Sequence, residues 1–285
     1  MESIAKYFSL VKFSHTIFAL PFALIGFFLA VQYSQYELSW RVFVFVILCM
    51  VFARNSAMGF NRYVDRNIDK LNPRTAIRDI PSGNINSTNA LLFVIVNILL
   101  FITTTWFINR LVFFLSPIAL LVILGYSFTK RFTFLCHFIL GIGLSLAPIG
   151  AYLSVSGKFN LVPVLFSFIV LFWSAGFDII YALQDDNFDK EHKLFSIPVW
   201  LGKRKALIVS ALIHFLSAVL IITAGIYAEF NMVYWIGTII FISLLIYQHN
   251  IVRHDDLSKV NIAFFTTNGI ASVVFSGFTI ISLFI

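Results

Sequence analysis

Six of the chain's 13 acidic residues are aspartates gathered in two short polar stretches. The first stretch holds Asn61, Asp65 and Asp69; the second holds Asp178, Asp185, Asp186 and Asp189. On an α-helix, residues four apart turn by only about 40°, so Asn61, Asp65 and Asp69 share one face. Spacings of seven and eleven bring Asp178, Asp185 and Asp189 within about 40° of one another, with Asp186 about 80° away as a bystander. Like charges on one helix face repel, and a carboxylate at mid-bilayer costs about 2.5–3.5 kcal/mol. A divalent cation offsets both penalties. Mg²⁺ takes one or two carboxylates and completes its shell with phosphate oxygens and water. The pattern predicts Mg²⁺–diphosphate chemistry, with Asn61, Asp65, Asp69, Asp185 and Asp189 as metal ligands. A solvated loop balanced by Arg62, Arg66, Lys190 and Lys193 would explain either stretch alone, but explains the matched pair poorly.

Basic residues follow each stretch or its neighbours. Arg74, in the run Asn72-Pro73-Arg74-Thr75, and Arg78 lie just beyond the first; Lys130 and Arg131 follow a later apolar run. Such side chains neutralise diphosphate oxygens that a metal leaves free. For Arg131, anchoring at the membrane surface is an equal alternative. Arg54 stands seven residues before Asn61 and inside an apolar run, hence on nearly the same helix face. A buried guanidinium suits the carboxylate of an aromatic acid; the competing role is a salt bridge to one of the aspartates. Lys12 and His15 open the first apolar run, where His15 reads as an interfacial residue.

The elements that position these groups must be membrane helices. The 285 residues are 60% hydrophobic and 12% charged, which excludes an ordinary soluble domain. A helical span needs about 20 apolar residues. Nine are predicted, at 15–33, 40–60, 88–108, 110–127, 133–154, 161–182, 205–228, 231–250 and 262–284. The first is too long for a signal-peptide core and lacks a small-residue cleavage site, so no cleavable signal is expected. Cys49 and Cys136 lie in apolar runs and read as small buried residues.

Charge then sorts by side. Lys6, Lys12, Arg62, Arg66, Lys70, Arg74, Arg78, Lys130, Arg131, Lys190, Lys193, Lys203, Arg204, Lys205, Arg253 and Lys259 fall on one side; Arg41, Arg110 and Lys158 fall on the other. This asymmetry predicts a cytoplasmic N-terminus and both acidic stretches on the cytoplasmic face. It also accounts for the net charge of +7 without nucleic acid. Both stretches lead into an Ile-Pro step and a glycine: Ile80-Pro81 with Gly83, and Ile197-Pro198 with Gly202. One domain is expected over 1–285, built from two pseudo-repeated four-helix halves at about 1–130 and 131–250 plus a ninth helix.

At these residues the chain resembles the UbiA family of intramembrane aromatic prenyltransferases. Asn61, Asp65 and Asp69, continued by Asn72-Pro73-Arg74-Thr75 and Ile80-Pro81-Ser82-Gly83, are similar to its first aspartate-rich motif. Asp185 and Asp189, with Tyr181-Ala-Leu-Gln before them and Ser196-Ile-Pro-Val after, resemble the second; Tyr126 to Arg131 resembles a third recurrent segment. Arg62 stands where several members carry Asp. Within the family the likeness is to 4-hydroxybenzoate polyprenyltransferases of ubiquinone biosynthesis and a similar branch serving menaquinone synthesis. The resemblance implies an all-α integral membrane fold of nine helices around a central, lipid-accessible cavity. It implies transfer of a polyprenyl chain from its diphosphate to an aromatic acid, by Mg²⁺-assisted departure of diphosphate and then electrophilic aromatic substitution. Asp178 or Asp185 would take the ring proton. Tyr126 and Tyr181 would steady the allylic cation through their π faces, with core packing as the alternative for both.

Two rivals differ in class. Membrane alcohol phosphotransferases carry an Asp-Gly…Ala-Arg…Gly…Asp…Asp run that this sequence lacks. An ion-coupled carrier would place its acids at mid-span, whereas these sit at helix ends.

Overall fold

The computed structural model describes residues 9–11 and 17–285, and among these it is helical with no strands. Lys6, Lys12 and His15 lie outside the described residues. In chain order the elements are α1 (Leu20–Phe28, continued by a π turn Leu29–Tyr33), α2 (Trp40–Leu71), α3 (Ser87–Trp106), α4 (Arg110–Thr129), α5 (Cys136–Ser156) and α6 (Leu161–Ala182). A 3₁₀ turn (Leu183–Asp185) leads to the short α7 (Asp186–Glu191) and α8 (Ile197–Leu201). The chain ends with α9 (Lys203–Tyr227), α10 (Met232–Ile251), a π turn (Ile262–Thr267) and α11 (Asn268–Ser282). Eight of the helical segments are long and apolar enough to cross a membrane, and Leu20–Tyr33 is a shorter apolar helix. Only closed helices satisfy their own backbone polar groups in lipid, which is why apolar length predicts them so well.

Three boundaries differ from the sequence expectation. The first helix begins at Leu20 rather than at 15, with Pro21 in its opening turn, where the missing N–H costs nothing. The second does not stop near 60. It runs 32 residues to Leu71, about 48 Å, so the first acidic stretch is the last turns of the spanning helix itself. The sixth breaks at Ala182 into a 3₁₀ turn, which invalidates the ideal-helix angles that placed Asp178, Asp185 and Asp189 on one face.

Side-chain size divides the molecule into a solid part and a hollow part. Helices α1, α6, α9, α10 and α11 meet on a buried aromatic cluster that includes Phe22, Phe166, Trp173, Phe177, Tyr234, Phe241 and Phe275. Inside it the Trp173 indole N–H donates to Asn268 Oδ1 at 2.9 Å, so its one polar atom is satisfied. Helices α2 to α5 line a cavity of about 390 Å³. Two prolines interrupt the lining helices, Pro117 in α4 and Pro148 in α5. Pro117 cannot donate to the Phe113 carbonyl, and the Ser116 hydroxyl donates there instead at 2.8 Å.

Helix α1 closes on α5 through Gly26. A Cβ at this position would stand 2.0 Å from the Pro148 carbonyl oxygen, inside rigid backbone. Gly26→Ala is therefore expected to destabilise the protein by about 1–3 kcal/mol. A drop in apparent melting temperature of purified protein in detergent checks this; an unchanged melting point would refute the contact.

Candidate active site

The first acidic motif rides on the end of α2, and the loop behind it folds back over the second. Asn72 leaves the helix in an extended conformation. Its Oδ1 accepts the Arg74 backbone N–H at 2.9 Å, a turn that aims Arg74 inward. The Thr75 hydroxyl donates to the Asp69 carbonyl at 3.0 Å and pins the turn to the helix.

Each motif carboxylate has a cationic partner. Asp65 accepts from Asn61 Nδ2 at 3.0 Å and from Arg131 Nη2 at 3.0 Å; the same guanidinium donates to the Val64 carbonyl at 2.9 Å. Asp69 takes Arg78 Nη1 on both oxygens, at 2.6 and 2.7 Å. Asp185 receives Arg74 through Nε at 2.9 Å and again through Nη2, and Asn72 Nδ2 at 3.0 Å. Asp189, fully buried, has Lys130 Nζ 2.8 Å from Oδ1. Asp186 pairs instead with Lys190, four residues on in the same short helix, at 3.0 Å. Three of these pairs join separate parts of the chain: Arg131 to Asp65, Arg74 to Asp185 and Lys130 to Asp189. Burial works against the Arg74 charge, but the hydrogen bonds that it donates to Asp185 hold its guanidinium above the usual range. The same opposition raises the Lys130 ammonium, where the Asp189 charge overcomes burial.

Asp178 does not join this cluster. Its Oδ2 lies 2.7 Å from His137 Nδ1, at the first turn of α5. His137 was not singled out by sequence reasoning. Its signal was present in a lone histidine opening an apolar span three residues past Phe134, but its partner is 41 residues away. Arg62 is buried on α2, with the Asp69 charge close by.

The sequence-predicted aromatic and acceptor groups divide. Arg54 and Tyr126 both line the cavity, with Met50, Ala119, Leu144 and Gly150. The Tyr126 phenol also stands in the electrostatic field of Arg54, Arg62, Asp65 and Asp178. The cavity thus ends beneath the first motif: its lining residue Met58 is one turn before Asn61, and Tyr126 one turn before Lys130. Tyr181 is placed otherwise. Its ring stacks on Phe264 at 4.1 Å, the Arg74 guanidinium lies 5.2 Å from its centroid, and its hydroxyl accepts from Arg74 Nη1 at 2.9 Å. It positions Arg74, and the face covered by Phe264 is closed to a substrate cation.

The donor set suits a hard cation. It is all oxygen apart from its basic partners, and Asp189 Oδ2 is buried without a hydrogen-bond donor. Among the described residues no three His, Cys, Asp or Glu side chains stand together as a closed metal cage. Each acidic group is held against its own bases: Asp65 and Asp69 against Arg131 and Arg78, Asp185 and Asp189 against Arg74 and Lys130.

Residues 19–270 match the description of the UbiA prenyltransferase family. The chain is 29% identical over 224 residues to a 4-hydroxybenzoate octaprenyltransferase of Tolumonas auensis, covering 79% of this chain and 78% of that protein. It is 29% identical over 242 residues to one of Coxiella burnetii, covering 84% and 83%. Among solved structures, the apo form of a UbiA homolog from Aeropyrum pernix superposes with a TM-score of 0.85 at 28% identity, over 94% of this chain and 97% of that one. A UbiA homolog from Archaeoglobus fulgidus, bound to DMAPP and Mg²⁺, has the same fold, with a TM-score of 0.78 at 22% identity over 98% and 99%.

Proposed function

Because the chain belongs to the UbiA prenyltransferase family, we propose that it transfers a polyprenyl chain from polyprenyl diphosphate to an aromatic acid, with 4-hydroxybenzoate as the acceptor. The observation that carries this reading is the apolar cavity that runs from beneath Asn61 and Lys130 into the membrane-spanning part of the fold, with Arg54 and Tyr126 on its wall. Along α2 its lining runs from Val46 to Met58, about 18 Å. A long isoprenoid tail fits such a wall, and a diphosphate fits the charged end.

The residues take separate tasks. Asn61, Asp65, Asp69, Asp185 and Asp189 would hold Mg²⁺. When bound, the ion neutralises the diphosphate as it departs. Arg74, Arg78, Lys130 and Arg131, each paired with a motif aspartate, would donate to the remaining phosphate oxygens. Arg54 orients the acceptor through its carboxylate. Tyr126 offers a π face to the allylic cation at the cavity wall. A carboxylate, Asp178 or Asp185, takes the proton that the ring loses. By the distribution of Lys and Arg, this end of the molecule faces the cytoplasm, in the cytoplasmic (inner) membrane. The two acidic motifs occupy corresponding helices of two four-helix halves within one domain.

The test uses membranes of bacteria expressing the full chain, octaprenyl diphosphate, and 4-hydroxybenzoate or a naphthoate-type acid, with and without EDTA. Prenylated product read by mass spectrometry is expected with Mg²⁺ and is expected to fall at least about a hundredfold on chelation. Product from the naphthoate acid alone would keep the chemistry and move the protein to menaquinone synthesis. No product from either acid would overturn the proposal.

A further inference from the structure

We infer that His137 is a positioning residue, whose Nδ1–H fixes the Asp178 carboxylate as the acceptor of the ring proton. The inference rests on the prenyl-transfer reading above and decides between the two carboxylates that reading leaves open.

The tautomer follows from two contacts. The Ile197 backbone N–H donates to His137 Nε2 at 3.3 Å. A ring nitrogen that accepts a hydrogen bond carries no proton, so the neutral imidazole has its proton on Nδ1. That proton points at Asp178 Oδ2, 2.7 Å away. The His137 side chain is 2% exposed and that of Asp178 24%. The histidine is sealed in the protein, and the carboxylate it holds is open on another side.

Asp185 is a poorer base. Its Oδ1 accepts from Asn72 and Arg74, and its Oδ2 from Arg74. A carboxylate held by a guanidinium at both oxygens has little drive to take a proton. Asp178 has a single imidazole donor on one oxygen in place of a guanidinium on both. It also lies close enough to act electrostatically on Tyr126, which lines the cavity.

The surroundings explain how the histidine is held. The Phe195 N–H donates to the Lys130 carbonyl at 2.7 Å, so the segment after α7 is tied to the turn before α5. Ser196 caps α8 through its hydroxyl, which presents the Ile197 N–H to His137. The Ser-Ile-Pro step after the second motif thus orients an imidazole that in turn orients Asp178.

The donor's C–O bond breaks and its electron pair leaves with diphosphate. Ring π electrons form the new C–C bond at the carbon ortho to the phenol oxygen. The C–H pair at that carbon returns to the ring as the proton passes to Asp178, which later releases it to water. His137 keeps its Nδ1 proton throughout.

Two substitutions separate positioning from scaffolding. The amide nitrogen of His137→Asn takes the place of Nδ1 and still donates to Asp178. The amide oxygen of His137→Gln takes the place of Nε2 and still accepts from Ile197. Each variant is assayed with octaprenyl diphosphate, Mg²⁺ and either 4-hydroxybenzoate or its 3,5-dideuterated form. His137→Asn is expected to rescue kcat to within about threefold, while His137→Gln loses at least about tenfold in kcat with an unchanged KM for the diphosphate. A primary deuterium isotope effect should appear in His137→Gln, because loss of the ring proton becomes slow, and be absent in the wild type. Asp178→Asn should show the same isotope effect without any change at 137, and His137→Gln should cost nothing more in that background. Retained kcat in His137→Gln with loss in His137→Asn, or a slow variant with no isotope effect, would reduce His137 to a backbone cap and overturn the inference. In either case wild-type turnover would leave the prenyl-transfer reading standing. A wild type that prenylates neither acid would overturn both.

Discussion

Asp185→Ala is expected to lower prenyl transfer by about a thousandfold, while Asp186→Ala, one residue on, stays within about tenfold. The two aspartates are both buried, and composition or local charge does not separate them. Their partners do. Asp185 receives Arg74 twice and Asn72 once, and so joins the loop behind the first motif to the 3₁₀ turn of the second. Removing it deletes a proposed ligand and also leaves the Arg74 guanidinium without its counter-charge in a partly buried site. Arg74 would then no longer be aimed at the diphosphate, because its remaining anchor is the Tyr181 hydroxyl. Asp186 pairs within its own helix with a half-exposed lysine and joins no separate part of the chain. The measurement is kcat/KM with octaprenyl diphosphate, alongside the melting temperature of each variant. Equal losses at 185 and 186 would show that burial, and not the Arg74 linkage, governs the site.

Gly150→Phe is expected to cut turnover of octaprenyl diphosphate by about a hundredfold and to spare a two- or three-unit donor. Gly150 lines the cavity, and a Cβ built there meets nothing within 4 Å. It lies 14 residues into α5, about 21 Å from the helix's charged end. A phenyl ring therefore occupies the remote part of the cavity, where only a long tail reaches. The substitution also removes a glycine from a helix interior, which favours folding. The contrast with Gly26 is instructive: one glycine faces a backbone carbonyl at 2.0 Å and the other faces open space. Competition between long and short donors in one reaction, with products resolved by mass, gives the ratio directly. A parallel fall for both lengths would mean that the tail does not lie along this wall.

The positions of the helices and the charge of each helix end were legible in the sequence, because a bilayer leaves so few solutions. A segment in lipid must satisfy its own backbone, so apolar length alone marked eight helices that match the spans. The two acidic motifs could be read for the same reason: charges are so scarce in this chain that their clustering stands out. Local geometry was less legible. Nothing between Ala182 and Asp186 resembles a breaker, yet the helix tightens into a 3₁₀ turn there, and Asp178 pairs with His137 while Asp185 and Asp189 pair with Arg74 and Lys130. The expected single face of three aspartates depended on an unbroken helix.

By itself, then, the sequence determined the fold class, the charged end of the molecule and the residue types that gather there, since each depends on composition or on near neighbours in the chain, and its motifs carried the resemblance to the family. The tertiary structure alone decided which base meets which acid, that His137 holds Asp178, that Tyr181 is stacked on Phe264 and committed to Arg74, and that the cavity lies among α2 to α5 while aromatic rings fill the remaining helices. The physical reason is that an ion pair or a hydrogen bond is settled within a few ångströms. His137 and Asp178 come that close across 41 residues of chain, Arg74 and Asp185 across 111, and Asn72 and Asp185 across 113.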